Sequence, residues 1–311
     1  MQNLLKQTGA AIIVALFVTS LVAIAAIAMI TRLRLDTHRT ELVLNATQAS
    51  LYAKGSLDWA IEQLNTDIKE SKAQPNKLTD HTPIRSPIQK MNGMSIYSTI
   101  YDAQGRYNLN NLIDPKNQPD FIKLLITAAP TVSPTLAQNI ATAISDWVSP
   151  TAASSALNDY YLKLKPPYRS PHHPMVSASE LRLVKGVTPA IFAALSHYII
   201  ALPESTPINV NNASPPVLMS LSKTLTLESA KILAARCHTN PFTDIEQFKN
   251  FDLVKNNAFD QSKITLLSRY FLVITNVKVG QQKLKLYTLL QRNSSGTQSN
   301  EVVLWQSKGT L

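Results

Sequence analysis

The oxygen-bearing side chains around one loop are the best candidates for chemistry in this chain. Asp146, Asn158 and Asp159, with Tyr160 and Tyr161, bracket a small polar segment from Ser149 to Leu157. Calcium takes carboxylate, amide and carbonyl oxygens on flexible loops, so Asp146, Asn158 and Asp159 are the candidate metal ligands. The segment itself carries no acid, which leaves little charge to balance a divalent ion. The plainer reading puts Asp146 in solvent late in a helix and lets Asp159 open the next segment. His172 and His173, flanked by Pro171 and Pro174, read as an exposed loop. Zinc ligands usually come spaced and with a third partner. No G-x-S-x-G, Walker loop or H-E-x-x-H occurs, so no catalytic residues are assigned and the chain is not read as an enzyme.

A second constellation concerns phosphate. Thr206 to Ser214, the following helix and turn, Ala230 to Arg236 and Pro241 to Phe248 resemble helix-hairpin-helix domains of DNA-uptake receptors. Leu181 to Thr188 looks like a second hairpin. Such hairpins offer glycine-rich backbone N–H groups to phosphates. Gly186 stands alone, and Ser222 to Thr226 contains no glycine. The hairpins are therefore read as packing devices, and nucleic acid is not expected as a partner.

The elements that must carry these residues follow from pattern. The chain has 311 residues, a formal charge of +10, 18 prolines, 8 glycines and one cysteine. The basic residues are spread rather than clustered, so the charge alone does not assign a nucleic-acid partner. A single cysteine, Cys237, excludes an intramolecular disulfide and suits a buried small side chain in a helix. Between Arg34 and Lys72 no proline occurs, and apolar residues recur at Leu35, Leu42, Val43, Ala46, Ala49, Ala53, Leu57, Ala60, Ile61, Leu64 and Ile68. That spacing is one stripe of a helix. Joined to the apolar run before it, residues 10–72 make a rod of roughly 90 Å.

Gln74 to Lys90 reads as a loop, Met94 to Ile100 as a strand and Arg106 to Leu112 as a short second strand or extended segment. Proline-marked helices are expected at Phe121–Ala128, Pro134–Val148, Ala178–Leu183, Pro189–Leu202, Pro215–Leu221, Leu227–Cys237 and Ile245–Phe248. Strands return at Tyr270–Ile274, Leu284–Leu290 and Glu301–Trp305, with turns at Gly280–Gln282 and Asn293–Asn300. A sheet thus opens near Met94, is interrupted by helices, and closes near the C-terminus.

The uncharged stretch from Ala10 to Ile30 matches the ~20 apolar residues that cross a bilayer as a helix. It follows Lys6-Gln7-Thr8-Gly9 and precedes Arg32 and Arg34. This is what prepilin-type leaders look like, with cleavage between Gly9 and Ala10 and the helix retained. Two other fates stay open on these residues: signal-peptide cleavage after Ala26-Ile27-Ala28, or an uncleaved anchor. Arg32, Arg34 and Arg39 beyond the helix run against a simple positive-inside orientation.

Taken in order, several motifs resemble the type II secretion system protein K family of minor pseudopilins over nearly the whole chain. They are the leader and helix, Asp102-Ala103-Gln104-Gly105-Arg106-Tyr107-Asn108-Leu109-Asn110, Pro167-Tyr168-Arg169, Ser179 to Val187, Pro207-Ile208-Asn209-Val210-Asn211 and Val303-Leu304-Trp305. The resemblance implies an α+β fold: a pilin-like long N-terminal helix on an antiparallel sheet, with a large helix-hairpin-helix-like all-helical domain inserted in the sheet. It divides the chain into a leader at 1–9, a transmembrane helix at 10–31, a first pilin-like part at 32–112, an inserted domain at 113–268 and a closing sheet at 269–311. It also implies an inner-membrane, single-pass, largely periplasmic protein at the tip of the pseudopilus, processed by the prepilin peptidase and bound to minor pseudopilins I and J. A membrane-anchored helix-hairpin-helix DNA-binding protein is the alternative.

Two departures carry information. Ordinary pilins place a glutamate at the fifth mature residue, which here is Val14. A subunit with no neighbour above it has no amine to pair with that carboxylate, so its loss suits a tip position. The resemblance implies an acid-rich stretch after an Asp-Trp pair as part of a calcium site, whereas Asp146-Trp147 is followed here by Ser149 and Thr151 where acids are expected.

Overall fold

The computed structural model describes residues 5–73, 83–91, 93–152, 157–257, 259–295 and 298–309. Helix α1 runs unbroken from Leu5 to Ala73, so the apolar run and the amphipathic stretch are one rod. The first four residues of the expected leader lie outside the described set. From Ala10 to Leu44 every side chain is exposed. Within the apolar part, the polar hydroxyls bond back into the helix: Thr19 and Ser20 donate to the Leu16 carbonyl at 3.0 and 2.8 Å. Such internal bonds let a hydroxyl sit in a medium that offers no water. The helix is long and apolar enough to cross a membrane.

Past Asn45 the helix settles on a sheet. Ala49, Ala53, Ala60 and Leu64 are buried, at steps of four and seven. Three of the four are alanines, which let the helix axis approach the sheet closely. Leu35, Leu42, Val43 and Ala46, expected in the same stripe, are exposed. They precede the part of the helix that the sheet covers, so periodicity alone overextends the buried face.

The sheet comprises β1 (Ile84–Arg85), β2 (Gln89–Met91), β3 (Met94–Asp102), β8 (Tyr270–Val279), β9 (Gln282–Ser295) and β10 (Gln298–Lys308), all paired antiparallel. The order is β1-β3-β8-β9-β10, with β2 also on β3. Of the loop expected over Gln74–Lys90, residues 74–82 lie outside the described set, and the rest supplies β1 and the start of β2. Ala49 and Ala53 pack with Ile96 and Val277, whereas Ala60 and Leu64 pack with Ile100 and Phe271. Between these clusters a hydroxyl chain crosses the interface: Ser56 meets Ser98, and Ser98 meets Thr275 at 2.6 Å. The turn expected at Asn293–Asn300 is mostly strand, with Asn293 opposite Asn300. Residues 296–297 lie outside the described set.

Between β3 and β8 the chain forms a helical body with its own core, from Tyr107 to Leu266. It contains α2 (Gln118–Ala128), α3 (Pro134–Val148), α4 (Leu157–Leu162), α5 (Pro189–Leu195), α6 (Pro215–Ser220), α7 (Leu227–Thr239), α8 (Ile245–Asn250) and α9 (Asp252–Lys255). Capping residues set most starts. Ser133, Thr188 and Thr226 accept from backbone N–H groups three residues on, and Ser177 with Glu180 forms a capping box. Ser214 opens α6 without such a bond.

Two expectations hold only in part. Arg106–Leu112 contributes only β4 (Tyr107–Asn108) before turning into a 3₁₀ helix at Leu109–Ile113. The helix expected over Pro189–Leu202 stops at Leu195 and gives way to β5 (Ile199–Ile200), which pairs parallel with β4. A second short parallel pair joins β6 (Ile208–Asn209) to β7 (Ile264–Thr265). These two-residue strands depend on partners about 60 to 90 positions away, which local propensity does not report.

Candidate functional site

Two of the motifs singled out in the sequence, Asp102 to Asn110 and Pro207 to Asn211, meet at one seam between the sheet and the helical body. Asp102 ends β3 and is buried. Its Oδ1 accepts from the backbone N–H of Gln104 at 2.7 Å and of Gly105 at 3.3 Å. Its Oδ2 accepts from Asn209 Nδ2 at 2.8 Å, Asn212 Nδ2 at 2.7 Å and Ser268 Oγ at 2.7 Å. Five donors around one buried carboxylate satisfy both of its oxygens as acceptors. Gln104 adds a second tie, donating Nε2 to the Pro207 carbonyl at 3.1 Å and accepting Arg269 N–H at 2.5 Å.

The asparagines continue the seam. Asn108 donates to the Glu204 carbonyl at 2.7 Å and accepts from Leu202 N–H at 3.1 Å. Asn110 donates to the carbonyls of Met175 and Leu202 at 2.9 and 2.7 Å and accepts Met175 N–H at 2.8 Å. Asn111 donates to the Thr206 carbonyl and accepts its N–H, at 2.8 and 2.9 Å. Each amide acts as a surrogate peptide group for a passing strand of chain. Beside them, Tyr270 donates its hydroxyl to Glu204 Oε1 at 2.6 Å, and burial drives the phenol upward from its ordinary range. The seam's polar atoms are spent on one another. This arrangement orients one body against another.

The hairpins are closed in the same sense. Lys123 of α2 sends its ammonium to the carbonyls of Ser222, Leu225 and Lys223 at 2.6, 3.2 and 3.4 Å. The N–H groups of Thr224 and Leu225 bond Ser222 Oγ, both at 3.3 Å. In the loop that would face a phosphate, the N–H groups of Thr224 and Leu225 and the carbonyls of Ser222, Lys223 and Leu225 are thus engaged within the fold. Gly186 holds φ at 88°, and a Cβ there would lie 3.0 Å from Ile140 Cγ1. It is a turn residue packed on α3.

A cleft of about 500 Å³ lies beside the seam, lined among others by Asp114, Asp120, Asp260, Lys116 and Lys263. Its acids are engaged: Asp114 and Asp260 cap backbone N–H groups, and Asp120 pairs with Lys263 at 2.6 Å. No local pattern announces this cleft, because its residues come from four separated segments.

The three candidate metal ligands are distributed over the two helices that flank the loop. Asp146 lies near the end of α3, Asn158 lies in α4 and Asp159 is exposed in its first turn. Residues 153–156 of the loop between them lie outside the described set. Among the described residues no three His, Cys, Asp or Glu side chains gather as a metal site. The feature favouring an ion is Asp146 Oδ2, buried without a hydrogen-bond partner. Yet Asn158 Oδ1 faces His172 Nε2 at 3.0 Å, and His172 Nδ1 faces the Asp146 carbonyl at 3.2 Å. His172, expected to be exposed, is therefore half-buried at the centre of this group, whereas His173 is exposed. Asp146 does not simply face solvent, since one of its oxygens is enclosed.

Two family models match the chain, over residues 105–204 and 208–267, and both describe type II secretion system (T2SS) protein K. Together they cover more than half of it. The chain belongs to the T2SS protein K family. Protein K of Pseudomonas aeruginosa is 28% identical over 93% of this chain and 90% of its own length. Protein K of Klebsiella pneumoniae is 27% identical over 92% of this chain and 93% of its own. In fold, the chain matches a chain of the crystal structure of the GspK-GspI-GspJ complex from the enterotoxigenic Escherichia coli type 2 secretion system. That match has a TM-score of 0.73 and 22% identity, over 88% of this chain and all of the other.

As a protein K family member the chain is a minor pseudopilin. The break between the two matched segments, after Glu204, falls on the stretch that Asn108 and Asn111 bind. The family's defining regions therefore meet at the seam. Gly9 lies within α1, and Ala10 and Val14 lie on its exposed apolar part, 35 or more residues before the first buried position at Ala49.

Proposed function

We propose that this chain leads a secretion pseudopilus as its tip subunit, anchored in the inner membrane by α1, with the remainder in the periplasm. Minor pseudopilins I and J are its partners, and the prepilin peptidase cuts between Gly9 and Ala10. Its work is positional rather than catalytic.

One observation carries this reading: a filament-type helix with a fully exposed apolar half bears a sheet into which a bulky helical body is inserted. The exposed half suits burial in a bilayer or against neighbouring helices. The inserted body would obstruct a subunit repeated along a shaft, but not one that ends it. The E. coli crystal structure, which shares this fold, is itself of GspK in complex with GspI and GspJ. Val14 fits the scheme, because a carboxylate there would cost about 2.5–3.5 kcal/mol in the bilayer with no amine to meet it.

Co-expression of the full chain with pseudopilins I and J tests the proposal. A stable three-component complex on purification is expected; failure to co-purify with either would overturn the partner assignment. Intact-mass measurement of the mature chain should place its N-terminus at Ala10. A terminus at Met29 or Met1 would overturn the processing step alone.

A further inference from the structure

We propose that His172 stands where a cation would otherwise tie Asp146 to Asn158, so that this chain joins the end of α3 to α4 without calcium. Three observations support this departure from what the family resemblance implied.

The first is position. The imidazole spans two oxygens of the candidate ligand residues, with Nδ1 3.2 Å from the Asp146 carbonyl and Nε2 3.0 Å from Asn158 Oδ1. A cation reaching both oxygens must first expel the ring. His172 holds φ at 45°, a left-handed conformation that a residue with a Cβ adopts only when its surroundings impose it.

The second is the donor set. Calcium requires about six to eight oxygens. The hydroxyls at the two positions where acids are expected, Ser149 and Thr151, bond each other at 2.9 Å. Asp159 lies at an exposed position. Asp146 supplies the remaining carboxylate, and one carboxylate does not neutralise a divalent ion.

The third is that α4 has another means of docking. Tyr161 is fully buried, packed edge-on to Trp147 at 5.4 Å and against Tyr168 at 5.3 Å. Its hydroxyl accepts the Lys185 N–H at 3.2 Å. An aromatic cluster and an imidazole bridge therefore fasten the same elements that an ion would fasten.

Thermal melts of the detergent-solubilised full chain in calcium and in EDTA test this. A site filled about 100-fold above its Kd would raise the midpoint by several degrees. The expected result is coincident melts for the wild type. His172→Ala should melt lower than wild type in both conditions, with His172→Gln between them. Terbium supplies a readout independent of folding yield, since a lanthanide bound beside Trp147 would emit on tryptophan excitation. The expectation is no wild-type emission that depends on Asp146. Calcium-raised melting of the wild type, an unchanged His172→Ala midpoint, or terbium emission abolished by Asp146→Asn would each overturn the proposal.

Discussion

Asp102 and Asn212 stand 110 residues apart in sequence, yet Asp102 Oδ2 accepts from Asn212 Nδ2 at 2.7 Å. The contact joins the last residue of a sheet strand to the far half of the helical body, through a carboxylate that also takes Asn209 and Ser268. A carboxylate here does what an amide cannot, because its five donors all point inward. Asp102→Asn keeps the volume but turns an NH₂ toward N–H and O–H groups. It should cost about 3 kcal/mol or more, since hydrogen bonds to a charged group contribute roughly 1.5–3 kcal/mol each. Chemical denaturation of the full chain would measure it. Retention of wild-type stability would mean the seam is not the joint between the two bodies.

Gly105 follows Gln104 in the turn after Asp102, and its role is spatial. A Cβ built on it would sit 2.6 Å from the Asn212 carbonyl oxygen, a backbone atom that cannot swing aside. Gly105→Ala should therefore destabilise by about 1–3 kcal/mol, the usual range for overpacking. Gly55, with nothing within 4 Å of an added Cβ, provides the control. Gly55→Ala removes a weak point from α1 and should be neutral or stabilising by up to about 1 kcal/mol. Parallel melts of the two variants would separate close approach from helix propensity.

What is legible in the sequence is what local chemistry dictates. Ser133-Pro134 and Thr188-Pro189 set helix starts, and Pro134–Val148 matches α3 at both ends. The strand at Met94 shows in the pattern by its alternation, with one face buried against α1, and the strand at Tyr270 shows as an unbroken run of bulky apolar residues. The seam shows only as motifs of unexplained polarity. Asn108, Asn110 and Asn111 give no hint that each acts as a substitute peptide group, because the backbone they serve lies 65 to 96 residues away. His172 escapes local reading for a related reason: adjacency to His173 and two prolines describes a loop but not what it folds against.

Lys123 offers a direct test of the closed hairpin. Its ammonium meets three carbonyls, and burial lowers its pKa from the ordinary lysine value. Lys123→Met keeps most of the stem while leaving those carbonyls without their donor. The cost should be about 1–3 kcal/mol, the penalty for unsatisfied buried groups. Hydrogen exchange should rise at Thr224 and Leu225 before it rises in α1. Duplex DNA should bind neither wild type nor variant in a salt-sensitive manner; wild-type binding of that kind would revive the DNA-binding alternative.

Asp120 and Asp260 lie on the same cleft and should give opposite pH responses. Burial raises the Asp120 carboxyl above its ordinary value, with Lys263 pulling it partly back. The Ser262 hydroxyl and N–H lower that of Asp260. For Asp120 the folded state holds its proton more tightly than the unfolded chain. Its contribution is therefore present below the ordinary carboxylate pKa and lost as pH rises through the higher folded value. For Asp260 the contribution is present above the ordinary carboxylate pKa and lost as pH falls through the lower folded value. Melting midpoints of wild type, Asp120→Asn and Asp260→Asn across the acid range would resolve the two. The deficit of Asp260→Asn should be full at neutral pH and shrink on acidification below the ordinary carboxylate range. Relative to wild type, Asp120→Asn should be least stable at the acid end and gain as pH rises through the raised pKa. Parallel difference curves would show that the two carboxyls share one environment, contrary to the contacts each makes.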